Sequence, residues 1–245
     1  MNPLKILANK FEFELINRKK YHHFDVATHL AYLLKKLEIN LVLDVGANVG
    51  QYGSELRRIG YQGLIFSFEP VKQAYSDLCD LAQNDKLWKS FNFALGSTEE
   101  TLRINVTTAT NLSSFFTPNE YAHESFQSQT PVVEVQNVEV HRLDNLQPLI
   151  ASSIQSPRIL LKMDTQGFDI QVMKGAFGCL NDIMAVQSEL SVLPLYENMP
   201  NYLDALSLYK EYGFEVTGIY PISRDRENLV VMEFDGFLVK KARNV

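Results

Sequence analysis

Three carboxylates, each placed where an apolar run ends, are the residues of this chain best suited to chemistry. Asp44 follows Leu41-Val42-Leu43 and opens the series Asp44-x-Gly46-x-Asn48-x-Gly50, with Ala47 inside it. An apolar strand that runs into a small-residue turn and then a helix brings backbone close to a nucleoside-bearing ligand. A dinucleotide site would show G-x-G-x-x-G with a pyrophosphate on its amides. Here a carboxylate stands first, which repels a pyrophosphate and suits a cationic or hydroxyl-rich ligand. The competing reading of Asp44 is a helix-start carboxylate that satisfies turn amides. Gly46 permits close approach of backbone, and Asn48 tolerates a left-handed conformation better than most residues.

Glu69 ends a second apolar run (Leu64 to Phe68), roughly twenty residues past Gly50, where an acidic residue accepts hydrogen bonds from ribose hydroxyls in nucleoside-binding α/β folds. S-adenosylmethionine, a sulfonium that carries a ribose, meets both demands. Lys162 and Asp164 lie two apart in LLKMDTQGFD and so face the same way if the run is a strand. A lysine in a buried strand is costly unless paired, and Asp164 is its natural partner. They form either part of a reaction centre or a structural ion pair. Glu189 closes another apolar run. Ala94 and Leu95, in NFALG, could flank an aromatic base or simply fill the core. His141, His123, Ser113 and Ser114 border a polar segment that could overlie the site. No cluster has metal-ligand spacing, although Asp164 and Glu189 could in principle share a hard cation.

These groups need a scaffold that gathers strand ends. Apolar spacing predicts strands over 40–45, 64–68 and 90–95, separated by helices with stripes Val49, Tyr52, Leu56, Ile59 and Val71, Tyr75, Leu78, Ala82. That alternation is the pattern of a parallel sheet with helices on its faces. Residues 102–106 and 132–140 alternate as half-buried strands, the second with a phase slip at Gln136-Asn137 that a β-bulge would explain. Between them lies a polar stretch from Thr107 to Thr130, read as the mobile tip of an antiparallel insertion, a lid or binding loop. The α/β pattern resumes with a strand at 159–164, a helix carrying Ile170, Met173, Phe177 and Leu180, a strand at 183–189 and a helix near 201–212. Two strands, 214–220 and 229–240, form an antiparallel pair around the turn Ser223–Asn228.

Residues 1–39 read as an N-terminal helical extension and 40–245 as the catalytic domain. Within the extension, 3–20 carries the face Leu4, Leu7, Phe11, Leu15. Asp25 caps a helix with Val26, Leu30, Leu33 and Leu37. Arg18, Lys19 and Lys20 suit a solvated helix end, an acidic partner or a membrane surface.

The 245 residues can build one α/β domain with a full core, and 46% hydrophobic with 21% charged residues is ordinary for a globular protein. A net charge of −6 argues against nucleic-acid binding as the main activity. Cys79 and Cys179 form no C-x-x-C pair and read as reduced thiols. With no signal-like or membrane-spanning apolar run, this suggests a cytoplasmic protein. Oligomeric state is open, because no long exposed apolar stripe stands out.

Together, LDVGANVGQY (43–52), FSFEP (66–70), NFALGS (92–97), HRLDNL (141–146), LLKMDTQGFDIQVMKGA (160–176) and DGFLVKK (235–241) resemble the FkbM-type S-adenosylmethionine-dependent methyltransferases, a class I family. The resemblance implies a Rossmann-like, seven-stranded, mostly parallel sheet with its last strand antiparallel, to which the residue pattern adds an antiparallel β insertion before strand 4. It implies methyl transfer to a hydroxyl, usually of a sugar, glycan or specialised metabolite. Carried over by motif, Asp44, Gly46 and Asn48 would line the methionine end of the cofactor, Glu69 the ribose, Ala94 and Leu95 the adenine, and Asp164 the reacting methyl. Asp164 would then contact the acceptor hydroxyl, with Lys162 setting its charge and His141 or Glu189 as the alternative base. Thr165-Gln166 departs from the hydrophobic residue and Glu often found in the family. Rival readings are methylation of nucleic acid or protein, a cofactor-binding module without catalysis, and a nicotinamide dehydrogenase. DTQG in place of Asn-Pro-Pro-Tyr counts against an amino-methylating enzyme, and the missing G-x-G-x-x-G against a dehydrogenase.

Overall fold

A computed structural model describes residues 25–241 apart from residue 226, so the helix expected over 3–20 and the basic run Arg18-Lys19-Lys20 lie outside the described residues. The chain enters through α1 (Val26–Lys36), whose N-cap Asp25 accepts a hydrogen bond from the Thr28 amide. There follow β1 (Leu41–Val45), α2 (Gln51–Arg58), β2 (Leu64–Phe68), α3 (Lys72–Ala82) and β3 (Trp88–Phe91). An insertion of β4 (Ala94–Leu95), β5 (Glu100–Thr107), α4 (Glu120–Phe126) and β6 (Val132–His141) comes next. After it come α5 (Gln147–Ser153), β7 (Ile159–Met163), α6 (Asp169–Gly175), β8 (Ile183–Ser191), α7 (Tyr202–Glu211), β9 (Phe214–Arg224) and β10 (Val231–Lys240).

The main sheet has seven strands in the order β3-β2-β1-β7-β8-β10-β9. All contacts among β3, β2, β1, β7 and β8 are parallel, and β10 runs antiparallel to both β8 and β9. The chain builds outward from β1 to β3 and then returns to the other side of β1. This puts the topological switch point, where open α/β sheets bind ligands, between the carboxyl ends of β1 and β7. Alternation along β1 divides the core. Leu41, Leu43 and Val45 face α5, α6 and α7, while Val42 faces α1, α2 and α3. Leu30, Leu33 and Leu34 of α1 pack on that second face with Leu160 and Phe237.

A polar row interrupts the second face. Ser67, Asp44, Lys162 and Gln187 sit side by side in register on β2, β1, β7 and β8, and all four are buried. Lys162 Nζ lies 3.2 Å from Asp44 Oδ1. The Ser67 hydroxyl donates to Asp44 Oδ2 at 3.0 Å and accepts from Trp88 Nε1 at 3.0 Å. At the far end, Tyr52 donates to Gln187 Oε1 at 2.6 Å, and its ring lies under the Lys162 ammonium.

Several sequence expectations need correction. The strand expected over 90–95 is two strands in different sheets, because the Asn92 side chain turns back to donate to the carbonyls of Glu69 and Pro70. The register shift puts the extra residue at Val133 of β6, opposite Val106 and Thr107, rather than at Gln136-Asn137. Gln136 breaks the apolar alternation because it points inward with Val138 and Val140, where its side-chain oxygen accepts from the Lys72 amide at the start of α3. The 107–130 segment is folded rather than a bare tip: it contains α4 and two short 3₁₀ turns, and Ala122 packs against Leu195, Tyr196 and Met232. Phe177 and Val49, expected on buried stripes, are exposed. Both cysteines are free, with Cys179 buried and Cys79 half-buried. Among the described residues, no helix is long and apolar enough to cross a membrane.

A buried ion pair is weak evidence for stability as a pair, but removing one partner leaves the other charge uncompensated. Lys162→Met is expected to lose roughly 3–5 kcal/mol of unfolding free energy. Adding Asp44→Asn is expected to recover part of that loss. Urea titration checks both, and a loss below about 1 kcal/mol in the single variant contradicts the assignment.

Candidate active site

Two clefts open at the carboxyl edge of the main sheet, and they share Gly46, Gln51 and Asp164. The first encloses about 620 Å³ and lies over the switch point. Its floor is the β1 and β2 ends, with Gly46, Asn48 and Glu69. Its apolar walls are Phe68, Val71, Leu95 and Phe168, and its far wall is supplied by the insertion through Ile104, Thr110 and Phe115. The second, about 730 Å³, is lined by Tyr52, Glu55, Lys162, Gln187, Glu189 and Asp235, with Ile222 from β9 at its rim.

Gly46 is where backbone must come close. Its φ is +76°, and a Cβ there would lie 1.9 Å from the Asp164 carbonyl oxygen. Asn48 adopts φ +45°, the left-handed conformation for which asparagine is suited. Glu69 accepts from the Asn48 amide through Oε2 and from the Val71 amide through Oε1, each at 2.8 Å. A carboxylate offers about four lone-pair sites, so both oxygens can still accept from hydroxyls. Burial pushes the Glu69 pKa up to about 7, against the lowering effect of the two amides. Thr110 of the insertion donates to Asn48 Oδ1 at 2.9 Å and so ties the far wall to the turn.

Asp164 follows β7 directly. Its Oδ2 lies 3.5 Å from Lys162 Nζ, and its Oδ1 accepts from Gln166 Nε2 at 3.2 Å. Lys162 is therefore shared, with Asp44 rather than Asp164 as its nearer partner. Burial opposes the charge of Lys162, but Asp44 and Asp164 outweigh it and raise the pKa above the usual lysine value. Glu189 stands opposite Asp235 in register. Burial and the neighbouring Asp164, Glu233 and Asp235 carboxylates raise Glu189 well above the carboxylate range. Burial, with Asp164 nearby, lifts Asp235 to about 6.

The structure gathers Gly46, Asn48, Glu69, Ala94, Leu95, Ser113, Ser114 and Asp164 around the first cleft, and Ala47, Lys162 and Glu189 around the second. It does not bring every candidate there. Asp44 has no accessible surface: its Oδ2 accepts from Ser67, and its Oδ1 lies 3.2 Å from the Lys162 ammonium. Gly50, at φ +91°, is the N-cap of α2, with its Cα side against Leu78 and Leu81. His141 lines neither cleft: its ring is held 2.6 Å from Glu99 and packs edge-on to Phe93 in the insertion. His123 is turned to Thr130. Sequence reasoning missed Gln51, which lines both clefts, and Asp235, which enters from β10. The first was signalled by its place at the start of the helix after the glycine turn. Nothing local marks the second, since only strand order carries it to Glu189. Among the described residues, no three His, Cys, Asp or Glu side chains are grouped to hold a metal ion.

The methyltransferase FkbM domain family matches residues 44–216 of the chain, which therefore belongs to that family of S-adenosylmethionine-dependent methyltransferases. The match spans both strand ends that border the first cleft. A comparison with curated proteins finds no match. Solved structures with a similar arrangement include TehB from Haemophilus influenzae (13% identity, 91% of this chain and 65% of that one, TM-score 0.47). Another is fibrillarin from Aeropyrum pernix with natively bound S-adenosyl-L-methionine (9% identity, 86% and 74% covered, TM-score 0.46). A third is an rRNA methylase from Streptococcus thermophilus (10% identity, 89% and 99% covered, TM-score 0.46).

The residues present fit the cofactor. The glycine turn lets β1 close onto the Asp164 main chain at the edge of the cleft, Glu69 keeps acceptor capacity for two hydroxyls, and the Asp164 carboxylate borders the same cleft. Ribose hydroxyls placed at Glu69 would donate to its ionised form, so affinity would follow its titration. S-adenosylhomocysteine is expected to bind more weakly as pH falls below about 7, by up to tenfold per pH unit. Glu69→Gln is expected to bind weakly at every pH and to flatten that profile. Calorimetry between pH 5.5 and 8.5 checks it, and a flat wild-type profile would contradict it.

Proposed function

We propose that this chain transfers the methyl group of S-adenosylmethionine to a hydroxyl of a sugar, glycan or specialised metabolite, with the donor in the first cleft and the acceptor in the second. The observation that carries this reading is the position of Asp164 on the boundary of both clefts. In this assignment Gly46 and Asn48 lie along the methionine end of the donor, Glu69 at its ribose, and Ala94 and Leu95 beside its adenine. The sulfonium supplies a methyl group already activated for attack, so the protein's work is mainly alignment, worth roughly 7–11 kcal/mol in the best cases.

The lining of the second cleft supports a neutral, hydroxyl-rich acceptor. Gln187 and the carboxylates Glu55, Asp164, Glu189 and Asp235 all accept hydrogen bonds from hydroxyls. Its one cationic lining residue, Lys162, is already committed to Asp44 and Asp164, which disfavours phosphate-bearing acceptors. Asp164 receives the proton as a hydroxyl attacks, with the Lys162 ammonium 3.5 Å away as its counter-charge. Glu189, held toward protonation by burial and its neighbours, is the weaker base in this arrangement.

Asp164→Asn is expected to keep S-adenosylhomocysteine affinity within about twofold while methyl transfer falls by on the order of 10²–10⁴. The assay is a screen of neutral sugars and glycosides for transfer of labelled methyl, alongside calorimetry. Unchanged turnover in the variant removes Asp164 as the base. Transfer only to phosphorylated acceptors or nucleic acid overturns the acceptor class.

A further inference from the structure

The Gln166 side chain reaches both carboxylates at the strand ends. Its Nε2 lies 3.2 Å from Asp164 Oδ1 and 2.9 Å from Glu189 Oε1. A primary amide carries two N–H bonds, so each carboxylate receives one. A flipped amide would turn its oxygen toward both carboxylates; in the observed orientation Oε1 lies 2.8 Å from the Tyr196 hydroxyl, which also lies 2.9 Å from the Leu112 carbonyl. Burial raises the Tyr196 pKa, so it remains a donor. The Gln166 backbone is held as well: its carbonyl accepts from the Ser114 hydroxyl at 2.8 Å, and its φ is +50°, a conformation that few residues adopt without such restraint.

We propose that Gln166 is a positioning residue for methyl transfer, whose amide fixes the Asp164 carboxylate against the donor and ties it, through Ser114 and Tyr196, to the insertion that walls the donor cleft. With Lys162 on one oxygen and Gln166 on the other, Asp164 is anchored at both oxygens and has a single orientation. This rests on the donor and acceptor placement proposed above. It also assigns the glutamine a task that a carboxylate cannot perform at neutral pH. A glutamate there would set three carboxylates together with no donor between them.

The test compares S-adenosylmethionine with S-adenosylhomocysteine, which differ by one methyl group and one positive charge. The charged and titratable groups facing Asp164 and Glu189 are Lys162 from β7, Asp44 from β1, Glu233 and Asp235 from β10, Asp169 from α6 and Tyr196. All are unchanged in Gln166→Glu and Gln166→Ala. Calorimetry from pH 6 to 8.5 measures the preference for the cationic ligand. At pH 6 the new carboxyl of Gln166→Glu, crowded by Asp164 and Glu189, keeps its proton and donates one hydrogen bond in place of the amide's two, so the preference stays within about twofold of the wild type. By pH 8.5 it ionises, and the preference for S-adenosylmethionine rises roughly fivefold or more over the wild type. Gln166→Ala releases Asp164, and its preference falls by roughly threefold or more at all pH values. Wild-type preference at every pH in both variants, with circular dichroism showing them folded, overturns the proposal. If the wild type binds neither ligand, the donor site itself is wrongly placed.

Discussion

The ion pair between Asp44 and Lys162 is the constraint around which the rest of the site is arranged. Placing a carboxylate and an ammonium on adjacent central strands costs hydration that their attraction alone does not return. The surrounding groups complete the compensation: the Ser67 hydroxyl on Asp44, the Gly46 carbonyl near Lys162, and the Tyr52 ring against the ammonium. Each of these comes from a different element, so a local polar problem fixes the relative placement of β2, the glycine turn and α2. The second neighbour of Lys162, Asp164, then stands at the strand end with a counter-charge already in place.

The insertion solves a separate problem. A doubly wound sheet leaves its carboxyl edge open, and the first cleft needs a second side. The small sheet provides it by packing Ile104, Val106 and Val138 on Val71 and Ala74, at the start of the helix that follows Glu69. Gln136 then caps that same helix. Glu69 and the wall opposite it are thus joined through α3. The polar residues of 107–130 are spent on contacts with Asn48, Gln166 and the 192–199 segment.

Most of the scaffold was legible in the sequence because hydrophobic period and turn chemistry agreed. The strand at 64–68, the Asp25 cap and the antiparallel closing pair are all where spacing placed them. The readings that failed were those where a side chain answered to a tertiary partner. Asn92 split a strand by bonding backward, and Gln136 mimicked a phase slip by pointing inward to a helix end. In the site, Glu69 and Asp164 were legible from their places at strand ends. Lys162 was paired with its sequence neighbour, whereas its nearer partner is more than a hundred residues away on β1, a contact only strand order reveals. His141 attracted attention by residue type alone, and its surroundings turn it elsewhere.

The close approach of Gly46 to the Asp164 carbonyl limits how this pocket can be redesigned. Engineering an enzyme to accept an enlarged cofactor analogue requires a residue that can be trimmed to make a hole. Where the glycine turn meets β7 there is none, since the turn is already glycine and the atom it faces is main chain. Space there could come only from parting two central strands. The insertion side differs, because Thr110, Phe115 and Ile104 present side chains that can be shortened. Substituents carried on the face of an analogue toward the insertion are therefore the ones this protein can be altered to admit. Selectivity against bulk on the opposite face is built into the backbone.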